Sequence, residues 1–399
     1  MTVKYNFSTI VLSILIAFGF LACEKNEIVI SDNYDCLFEA PLVNQNHPKS
    51  DSYQNILNEN RKLAMVGAVL LVKDSHGIWT GASGFSDIAS NVEMQSCNRF
   101  AIASISKAFT SAAIYRLMDK GILSIDDPIN KWLDRSITDN IKNANEATIS
   151  HLLAHTSGIA DFYTTQFELD RLNKVKNDWT KEEVLEYTYG KAATNGVDET
   201  YSYSNTNFLL LAMISEAATG LDFETVYQRE VFNPLNLSSA YYSENQIVPN
   251  DMVKGYADIY GNGQFVESRF AYADELGIGG DGGVIINAYD LAVFLERLVD
   301  GQFLSEESLS NMTNWFDMPE DYHWDTYGQF QNGFGIEKFD TQYGTAIGHT
   351  GGIDGFSTYG FYFPERDATY VLLINSVSED AEEPSDNIFN AVLEVMFEH

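Results

Sequence analysis

Strand-like sequence lies near both ends of this chain, and helical sequence lies between the two. Two apolar runs, 65–73 and 78–85, flank a short polar turn and predict a β-hairpin. Three further runs predict strands at 343–350, 355–363 and 369–374. We therefore expect an α/β (α+β) fold in which strands from both ends form one antiparallel sheet, flanked by helices and interrupted by a mainly helical region.

The inserted region, 122–280, has mainly helical patterns. An earlier helix begins at Ser104 and ends at a glycine C-cap, Gly121. Further candidate helices share apolar residues at helical spacing and end in loops that contain Gly, Asn or Pro. They are 181–189, 206–219, 223–231, 288–299 and an amphipathic final helix at 382–397.

The net charge disfavours two classes of partner. The 399 residues carry a formal net charge of −33, so nucleic-acid phosphates and anionic membrane surfaces would be repelled. Hydrophobic content of 45% is that of a globular protein rather than a disordered one. We expect no nucleic-acid partner.

The N-terminal segment has the pattern of an export signal. Lys4 precedes an apolar run at 10–20 that is too short for a stable membrane span. The Leu-Ala-Cys that follows resembles the lipobox of bacterial lipoproteins. This resemblance implies a signal peptide at 1–22, acylation of Cys23 and a tether at 23–55. The protein would then be held in the cell envelope by its lipid alone, facing the periplasm or the exterior; the alternative is ordinary secretion.

Two other cysteines, Cys36 and Cys97, remain. An exported protein meets an oxidising compartment, in which the two could form a disulfide. Two buried thiols are the alternative, and the sequence gives no distance that would decide between them.

Ser104 and Lys107 form the one Ser-x-x-Lys of the chain. About one such match is expected by chance, so the spacing alone carries little weight. The helical pattern places Ser104 in the first turn of a helix and Lys107 on the same face one turn later. A serine becomes a nucleophile only with an adjacent base, and a lysine held neutral can serve as that base.

A tyrosine could complete such a site, because its phenol both donates and accepts a proton. Of three Tyr-x-Asn triplets, only the one at Tyr203 runs from a loop directly into an apolar helix. Tyr203 and Asn205 are therefore candidate partners of Ser104. The alternative is a buried helix entry in which Asn205 or Thr206 is the N-cap.

A third candidate segment, Gly-His-Thr-Gly-Gly at 348–352, ends a predicted strand. Glycines there allow a substrate to approach closely, and backbone N–H groups can face a developing oxyanion. The alternative is a glycine-rich turn with a surface histidine, His349.

His151 and His155 are four residues apart, which raises the alternative of a metal hydrolase. No carboxylate or third histidine stands at ligand spacing, and the Thr-Ser-Gly that follows would end a helix. We expect packing and loop hydrogen bonds there, and no metal.

The segments SISK, YSN and HTGG follow one another as do the three active-site motifs of the serine β-lactamase and penicillin-binding-protein superfamily. The chain resembles this superfamily over about 60–376, and most closely its class C β-lactamase and D-alanyl-D-alanine carboxypeptidase branch. The stretches LLAHTSGI and GGDGGVIINAYDLAVFLERL match the same branch. The resemblance implies a hydrolase domain at 56–399, with 122–280 as its helical subdomain, and no cofactor.

The resemblance also implies a role for each matched residue. Ser104 attacks a carbonyl and becomes acylated, while Lys107 and Tyr203 manage the proton. The backbone N–H groups of Ser104 and Gly352 form the oxyanion hole. The residues that would bind the substrate are Asn205, His349, Thr350 and Gly351.

Two departures from the superfamily bear on the substrate, which would be a small peptide, a β-lactam or an ester. His349 stands where β-lactamases mostly carry a charged lysine, and Gly352 offers no hydroxyl to a substrate carboxylate. Dedicated penicillin hydrolysis is therefore disfavoured. The envelope location makes D-alanyl-D-alanine carboxypeptidase-like activity on cell-wall peptides the first expectation. A β-lactamase, an esterase and a non-catalytic penicillin-binding sensor are the alternatives.

Overall fold

A computed structural model describes residues 43–61, 65–176, 179–242, 248–249, 251–268, 279–318, 329–378 and 384–398. The predicted signal peptide, Cys23, Cys36 and the first part of the predicted tether lie outside these residues. Cys97 is disulfide-bonded, and both other cysteines of the chain lie outside the described residues. Within the described ranges, no helix is long and apolar enough to cross a bilayer.

The strands are numbered in chain order. They are β1 Gly67–Asp74, β2 Gly77–Asp87, β3 Val92–Glu93, β4 Arg99–Ala101, β5 Tyr256–Asp258, β6 Val266–Glu267, β7 Ile285–Asn287, β8 Phe316–Asp317, β9 Gln329–Asn332, β10 Glu337–Thr341, β11 Gly344–Ile353, β12 Phe356–Phe363, β13 Ala368–Ile374 and β14 Ser376–Ser378. Nine of them form one antiparallel sheet in the order β3-β2-β1-β13-β12-β11-β10-β9-β8. Two small sheets, β14-β5-β6 and β4-β7, accompany it.

The helices are numbered in the same way. They are α1 Ser50–Asn60, α2 Ser106–Asp119, α3 Arg135–Thr138, α4 Ile149–Leu153, α5 Thr165–Leu172, α6 Lys181–Leu185, α7 Asn205–Thr219, α8 Phe223–Tyr227, α9 Asn233–Leu235, α10 Ala288–Val299, α11 Glu306–Met312 and α12 Pro384–Phe397. Helices α3 to α9 follow one another between β4 and β5, within the region where the sequence predicts an insertion.

The large sheet joins the two ends of the chain. Strand β1 pairs antiparallel with β13, so that Ala68 lies opposite Ile374. All five strands predicted from apolar runs form, and β11 continues to Ile353, beyond its predicted end. The predicted fold, an antiparallel sheet of N- and C-terminal strands flanked by helices, is confirmed.

The folded part begins earlier than the sequence predicts. Helix α1 starts at Ser50, within the range 23–55 that was expected to be a polar tether. Its residues Tyr53 and Leu57 are fully buried, and the helix packs on α12. The tether prediction is therefore wrong from Ser50 onward. The buried apolar residues of this helix lie on both sides of residue 55, so a segment that ends at 55 contains too few of them to show a helical period.

The sheet separates two hydrophobic cores. Val69 and Leu71 of β1 point into the core that holds α2, α7 and α10. Their neighbours Leu70 and Val72 point into the other core, which holds α1 and α12. A strand buried on both faces reads as a continuous apolar run, which is why β1 and β13 are visible in the sequence.

Helix α2 is buried on nearly every side. Eleven of its fourteen residues are buried, from Ser106 to Leu117. The helix therefore lies inside the protein rather than on its surface, although Ser106, Lys107, Thr110 and Ser111 are polar. Whatever α2 carries at its N-terminal end is therefore held rigidly between the sheet and the helical region.

Two glycines of β11 offer a matched test of this packing. A Cβ on Gly348 would lie 1.8 Å from the carbonyl oxygen of Gly360, whereas a Cβ on Gly352 would meet nothing within 4 Å. We expect Gly348→Ala to lower the free energy of unfolding by about 1–3 kcal/mol, the usual cost of overpacking. Gly352→Ala should leave it nearly unchanged. Urea unfolding followed by circular dichroism measures both, and equal stabilities of the two variants would contradict the packing described.

Candidate active site

Ser104 lies at the entrance to α2. A short 3₁₀ turn, Ala103–Ile105, leads directly into the helix at Ser106. Ala103 has a φ of 47°, a left-handed conformation that is uncommon for residues other than glycine. Such backbone strain is found where surrounding structure fixes a functional side chain. The turn brings the Ser104 Oγ to 3.0 Å from the Lys107 Nζ.

Lys107 is fully buried, and its Nζ has three oxygen neighbours. Besides Ser104, they are the Asn205 Oδ1 and the backbone oxygen of Asp281, each at 2.8 Å. Both of these oxygens only accept hydrogen bonds. A neutral Lys107 therefore gives its two N–H groups to Asn205 and Asp281, and its lone pair faces the hydroxyl of Ser104.

The protonation of Lys107 fits the role of a base. Burial lowers the pKa of Lys107 from its usual value to about 8, although nearby carboxyl groups act in the opposite direction. A substantial share of the molecules would then hold a neutral lysine just above neutral pH. A lysine with its usual pKa of about 10.4 would not.

Tyr203 approaches Ser104 from the other side. Its hydroxyl donates to the Ser104 Oγ at 3.0 Å. Burial raises the pKa of Tyr203 well above its usual value, so the phenol keeps its proton. The geometry therefore favours Lys107 as the group that takes a proton and Tyr203 as the group that gives one.

Asn205 is the first residue of α7, and its side chain does not cap the helix. The Nδ2 donates to Asp161 Oδ2 at 3.0 Å, while the Oδ1 accepts from Lys107. Thr206 is also engaged elsewhere, because its hydroxyl donates to the backbone oxygen of Ala160. The alternative of a simple N-cap at Asn205 or Thr206 is therefore wrong.

Strand β11 runs directly past the Ser104 backbone. A Cβ on Gly351 would lie 2.5 Å from the Ile102 oxygen and 3.1 Å from the Ser104 nitrogen, so only glycine fits there. Gly352, the next residue, borders the same cavity as Ser104. The two residues predicted to form an oxyanion hole thus lie at one place.

The cavity has a volume of about 430 Å³. Ser104, Tyr203 and Asn205 border it on the side of the helices, and Gly352 borders it on the side of the sheet. Three acidic residues also line it: Glu168, Asp281 and Asp354. Acyl transfer requires a nucleophile beside a base, and donors for a developing oxyanion. The Ser104 Oγ at the cavity wall, with the Lys107 Nζ and the Tyr203 hydroxyl each at 3.0 Å, could meet the first requirement.

Comparison with known proteins agrees with this arrangement. The family model described as Beta-lactamase matches residues 54–394, which is most of the chain. The chain belongs to the β-lactamase family. It is accordingly a serine hydrolase of the superfamily that includes the penicillin-binding proteins.

Individual relatives of this β-lactamase-family protein are distant. Penicillin-binding protein 4* of Bacillus subtilis is 26% identical over 83% of this chain and 72% of that protein. A D-stereospecific amidohydrolase from Streptomyces sp. has a similar fold, with a TM-score of 0.74 at 23% identity over 87% of this chain and 98% of its own. The D-amino acid amidase of Ochrobactrum anthropi SV3 complexed with D-phenylalanine also has a TM-score of 0.74, at 23% identity over 86% of this chain and 98% of its own.

His349 and Thr350 lie behind the cavity rather than in its wall. His349 is only 4% exposed, so the alternative of a surface histidine is wrong. Its Nδ1 faces the backbone oxygen of Thr350, which only accepts, and Nδ1 therefore carries the hydrogen. Burial lowers the pKa of His349 to about 3, so the ring is neutral in this family member.

Three acidic residues around Lys107 were not predicted from the sequence. The carboxyls of Asp161, Asp281 and Glu337 all act on the Lys107 charge. Asp281 lies in the accessory stretch GGDGGVIINAYDLAVFLERL, so a signal for it existed, and Asp161 lies two residues after the end of LLAHTSGI. Glu337 has no such signal; it is buried under β11, where it accepts the N–H of Thr350 at 2.8 Å.

His155 holds Tyr203 in place and does not form a metal site with His151. The His155 Nδ1 accepts from the Ser204 backbone and from the Asn207 side chain, each at 3.1 Å. Its ring stacks on Tyr203 with a centroid separation of 4.4 Å. His151 instead caps α4 through Thr148.

One cluster with metal-ligand atoms does occur in the described residues, at the β1–β2 turn. His47, Asp74 and His76 place their ligand atoms within 4.8 Å of one another. The Lys49 N–H donates to the His47 Nδ1, however, so Nε2 carries a hydrogen and donates to Asp74. Tyr53 also donates to Asp74. The cluster is a hydrogen-bond network that ties α1 to the hairpin.

The pKa of Lys107 gives a testable pH dependence. Below about pH 8 the lysine is protonated and its lone pair is lost, so kcat/KM for a p-nitrophenyl ester should rise with pH through about 8. Burial also raises the pKa of Glu337 to about 8, so this carboxyl titrates in the same window.

The variant Glu337→Gln distinguishes the titration of Lys107 from that of Glu337. Removing a nearby negative charge should lower the pKa of Lys107 and move the rise to lower pH, while keeping it. A rise that disappears in Glu337→Gln, or a wild-type profile that is flat from about pH 6 to 9, would contradict the assignment of Lys107 as the base.

Proposed function

We propose that the protein is an exported amidohydrolase that works through an acyl-enzyme on Ser104, with D-alanyl peptides of the cell envelope as its substrates. One observation carries the chemistry. The Ser104 Oγ lies 3.0 Å from both the Lys107 Nζ and the Tyr203 hydroxyl, at the wall of a cavity large enough for a small peptide. A Ser-x-x-Lys pair is the first motif of the superfamily, in which the serine is the nucleophile.

Acylation begins with transfer of the Ser104 hydroxyl proton to Lys107. The Oγ then bonds to the substrate carbonyl carbon, and the resulting oxyanion is held by the backbone N–H groups of Ser104 and Gly352. Tyr203 donates its proton to the leaving nitrogen as the C–N bond breaks. The proton on Lys107 then restores the Tyr203 hydroxyl; both groups lie 3.0 Å from the Ser104 Oγ.

Deacylation repeats these roles with water as the nucleophile. Water passes a proton to the lysine and tyrosine pair as its oxygen bonds to the acyl carbon. The ester C–O bond breaks, and the Ser104 Oγ takes back the proton that Lys107 and Tyr203 received from water. The free acid then leaves, and no external oxidant, metal or cofactor takes part in this sequence.

The D-alanyl preference is supported by the relatives and by the predicted destination of the chain. Similar proteins include a penicillin-binding protein and two hydrolases named for D-stereospecific or D-amino acid amides. The signal-like N-terminus and Cys23 support a lipid anchor in the envelope, where D-alanyl peptides occur.

A second candidate substrate is an amide without a terminal carboxylate. Its support is the neutral state of His349, together with the cavity wall, to which none of the described residues contributes a Lys or Arg side chain. The guanidinium of Arg171 is bonded to Asp354 at 2.7 Å. A carboxypeptidase or β-lactamase substrate would gain little from charge attraction here.

Side-by-side turnover distinguishes the candidates. The panel consists of a D-Ala-D-Ala peptide, D-alanine p-nitroanilide, nitrocefin and a p-nitrophenyl ester, each with wild type and Ser104→Ala. We expect turnover of a D-alanyl substrate at least about 10³-fold above Ser104→Ala, the loss typical of removing a nucleophile. Preference for the D-Ala-D-Ala peptide supports a carboxypeptidase, and preference for the anilide supports an amidase.

Two results would count against the proposal. Hydrolysis of nitrocefin or of the ester, with no D-alanyl substrate turned over, would indicate a β-lactamase or an esterase. A stable acyl adduct with no turnover of any substrate would indicate a penicillin-binding sensor.

A further inference from the structure

Asp161 is a partly buried acid one contact away from the catalytic groups. It lies after the His-Thr-Ser-Gly stretch, in the loop between α4 and α5. Its Oδ1 accepts the backbone N–H of Tyr163 at 3.0 Å, and its Oδ2 accepts the Asn205 Nδ2 at 3.0 Å. The acylation steps described above do not use it.

A continuous chain of hydrogen bonds connects Asp161 to the nucleophile. Asn205 gives its Nδ2–H to Asp161 and turns its Oδ1 toward Lys107, which lies 2.8 Å away. Lys107 in turn lies 3.0 Å from Ser104. The orientation of the Asn205 amide thus decides whether a hydrogen-bond acceptor or a donor faces the Lys107 Nζ.

The two orientations of the Asn205 amide have opposite consequences. In the observed one, an acceptor faces Lys107, so the neutral amine donates to it and keeps its lone pair for Ser104. In the flipped one, the amide N–H groups would face Lys107 and occupy that lone pair. A carboxylate at Asp161 forbids the flip, because the Asn205 oxygen would then meet an acceptor that has no hydrogen to give.

We propose that Asp161 is a positioning residue that locks the Asn205 amide and so directs the Lys107 lone pair at Ser104. This inference rests on the proposed acyl-enzyme function and adds to it a residue that touches neither substrate nor nucleophile.

Other groups act on the same lysine and must be considered in any pH experiment. The carboxyls whose charge acts on Lys107 are Asp161, Asp281 and Glu337. The charge of Lys107 in turn acts on the neutral histidines His155 and His349. Asp161 is distinguished by its hydrogen bond, because its Oδ2 accepts directly from the Asn205 Nδ2. Burial raises the pKa of Asp161. Asp161 blocks the flipped amide only while it is ionised, because a protonated carboxyl could donate a hydrogen bond to the Asn205 oxygen.

Two variants separate the charge of Asp161 from its geometry. Asp161→Asn keeps the shape, removes the charge and permits both amide orientations, so the rate of Ser104 labelling by a fluorophosphonate should fall by about 10-fold to 100-fold. Its pH profile should also move to lower pH, since loss of a negative charge lowers the pKa of Lys107. Asp161→Glu keeps the charge and should keep the wild-type pH midpoint, whatever its plateau rate.

Asp126→Asn is the matched control, because Asp126 is an exposed carboxylate in the loop after α2. Thermal unfolding of each variant confirms that it is folded. A labelling rate and pH midpoint of Asp161→Asn equal to those of Asp126→Asn would overturn the inference. A lower plateau with an unchanged midpoint would reduce Asp161 to a structural role and also overturn it.

The readout keeps this inference distinct from the proposed function. Fluorophosphonate labelling needs only an activated serine and no knowledge of the natural substrate. If Ser104 of the wild type is not labelled, the proposed function fails. If it is labelled and Asp161→Asn behaves as the control does, only the role of Asp161 fails.

Discussion

The contact between Lys107 and Ser104 determines what the rest of the structure has to supply. A lysine can serve as a base only if it is kept out of water and its N–H groups have acceptors. Burial of α2 between the sheet and the helical region provides the first condition. The Asn205 side chain and the Asp281 backbone provide the second. Together, the burial of α2 and these two acceptors direct the lone pair of a neutral Lys107 toward Ser104.

Much of this fold was predictable from the sequence. Strands buried on both faces, such as β1 and β13, are continuous apolar runs, and α7 and α10 begin within one residue of their predicted starts. Helix α1 was missed because its apolar residues Tyr53 and Leu57 fall on either side of the assumed boundary at residue 55. Local patterns reveal elements that bury many residues, but they do not show where the folded part begins.

The candidate site, too, was only partly predictable from the sequence. Ser104, Lys107, Tyr203 and Gly352 were predicted from three short motifs. The structure places Ser104, Tyr203 and Gly352 at one cavity and the buried Lys107 behind Ser104. Glu337 was not predicted, because an acid on β10 is recognised as part of the site only once β11 is known to pair with that strand. His349 was expected to meet the substrate, yet strand pairing places it behind the wall as a buried, neutral ring. Side-chain direction on a strand depends on its partners, which a motif does not show.

The central claim is that Ser104 becomes covalently acylated. The most direct measurement is mass spectrometry of the protein after acid quench during reaction with a p-nitrophenyl ester, followed by peptide mapping. The account predicts one acyl group, located on Ser104 and lost in Ser104→Ala, with Ser106 unmodified. An acyl group on another residue, or the same adduct in Ser104→Ala, would contradict it.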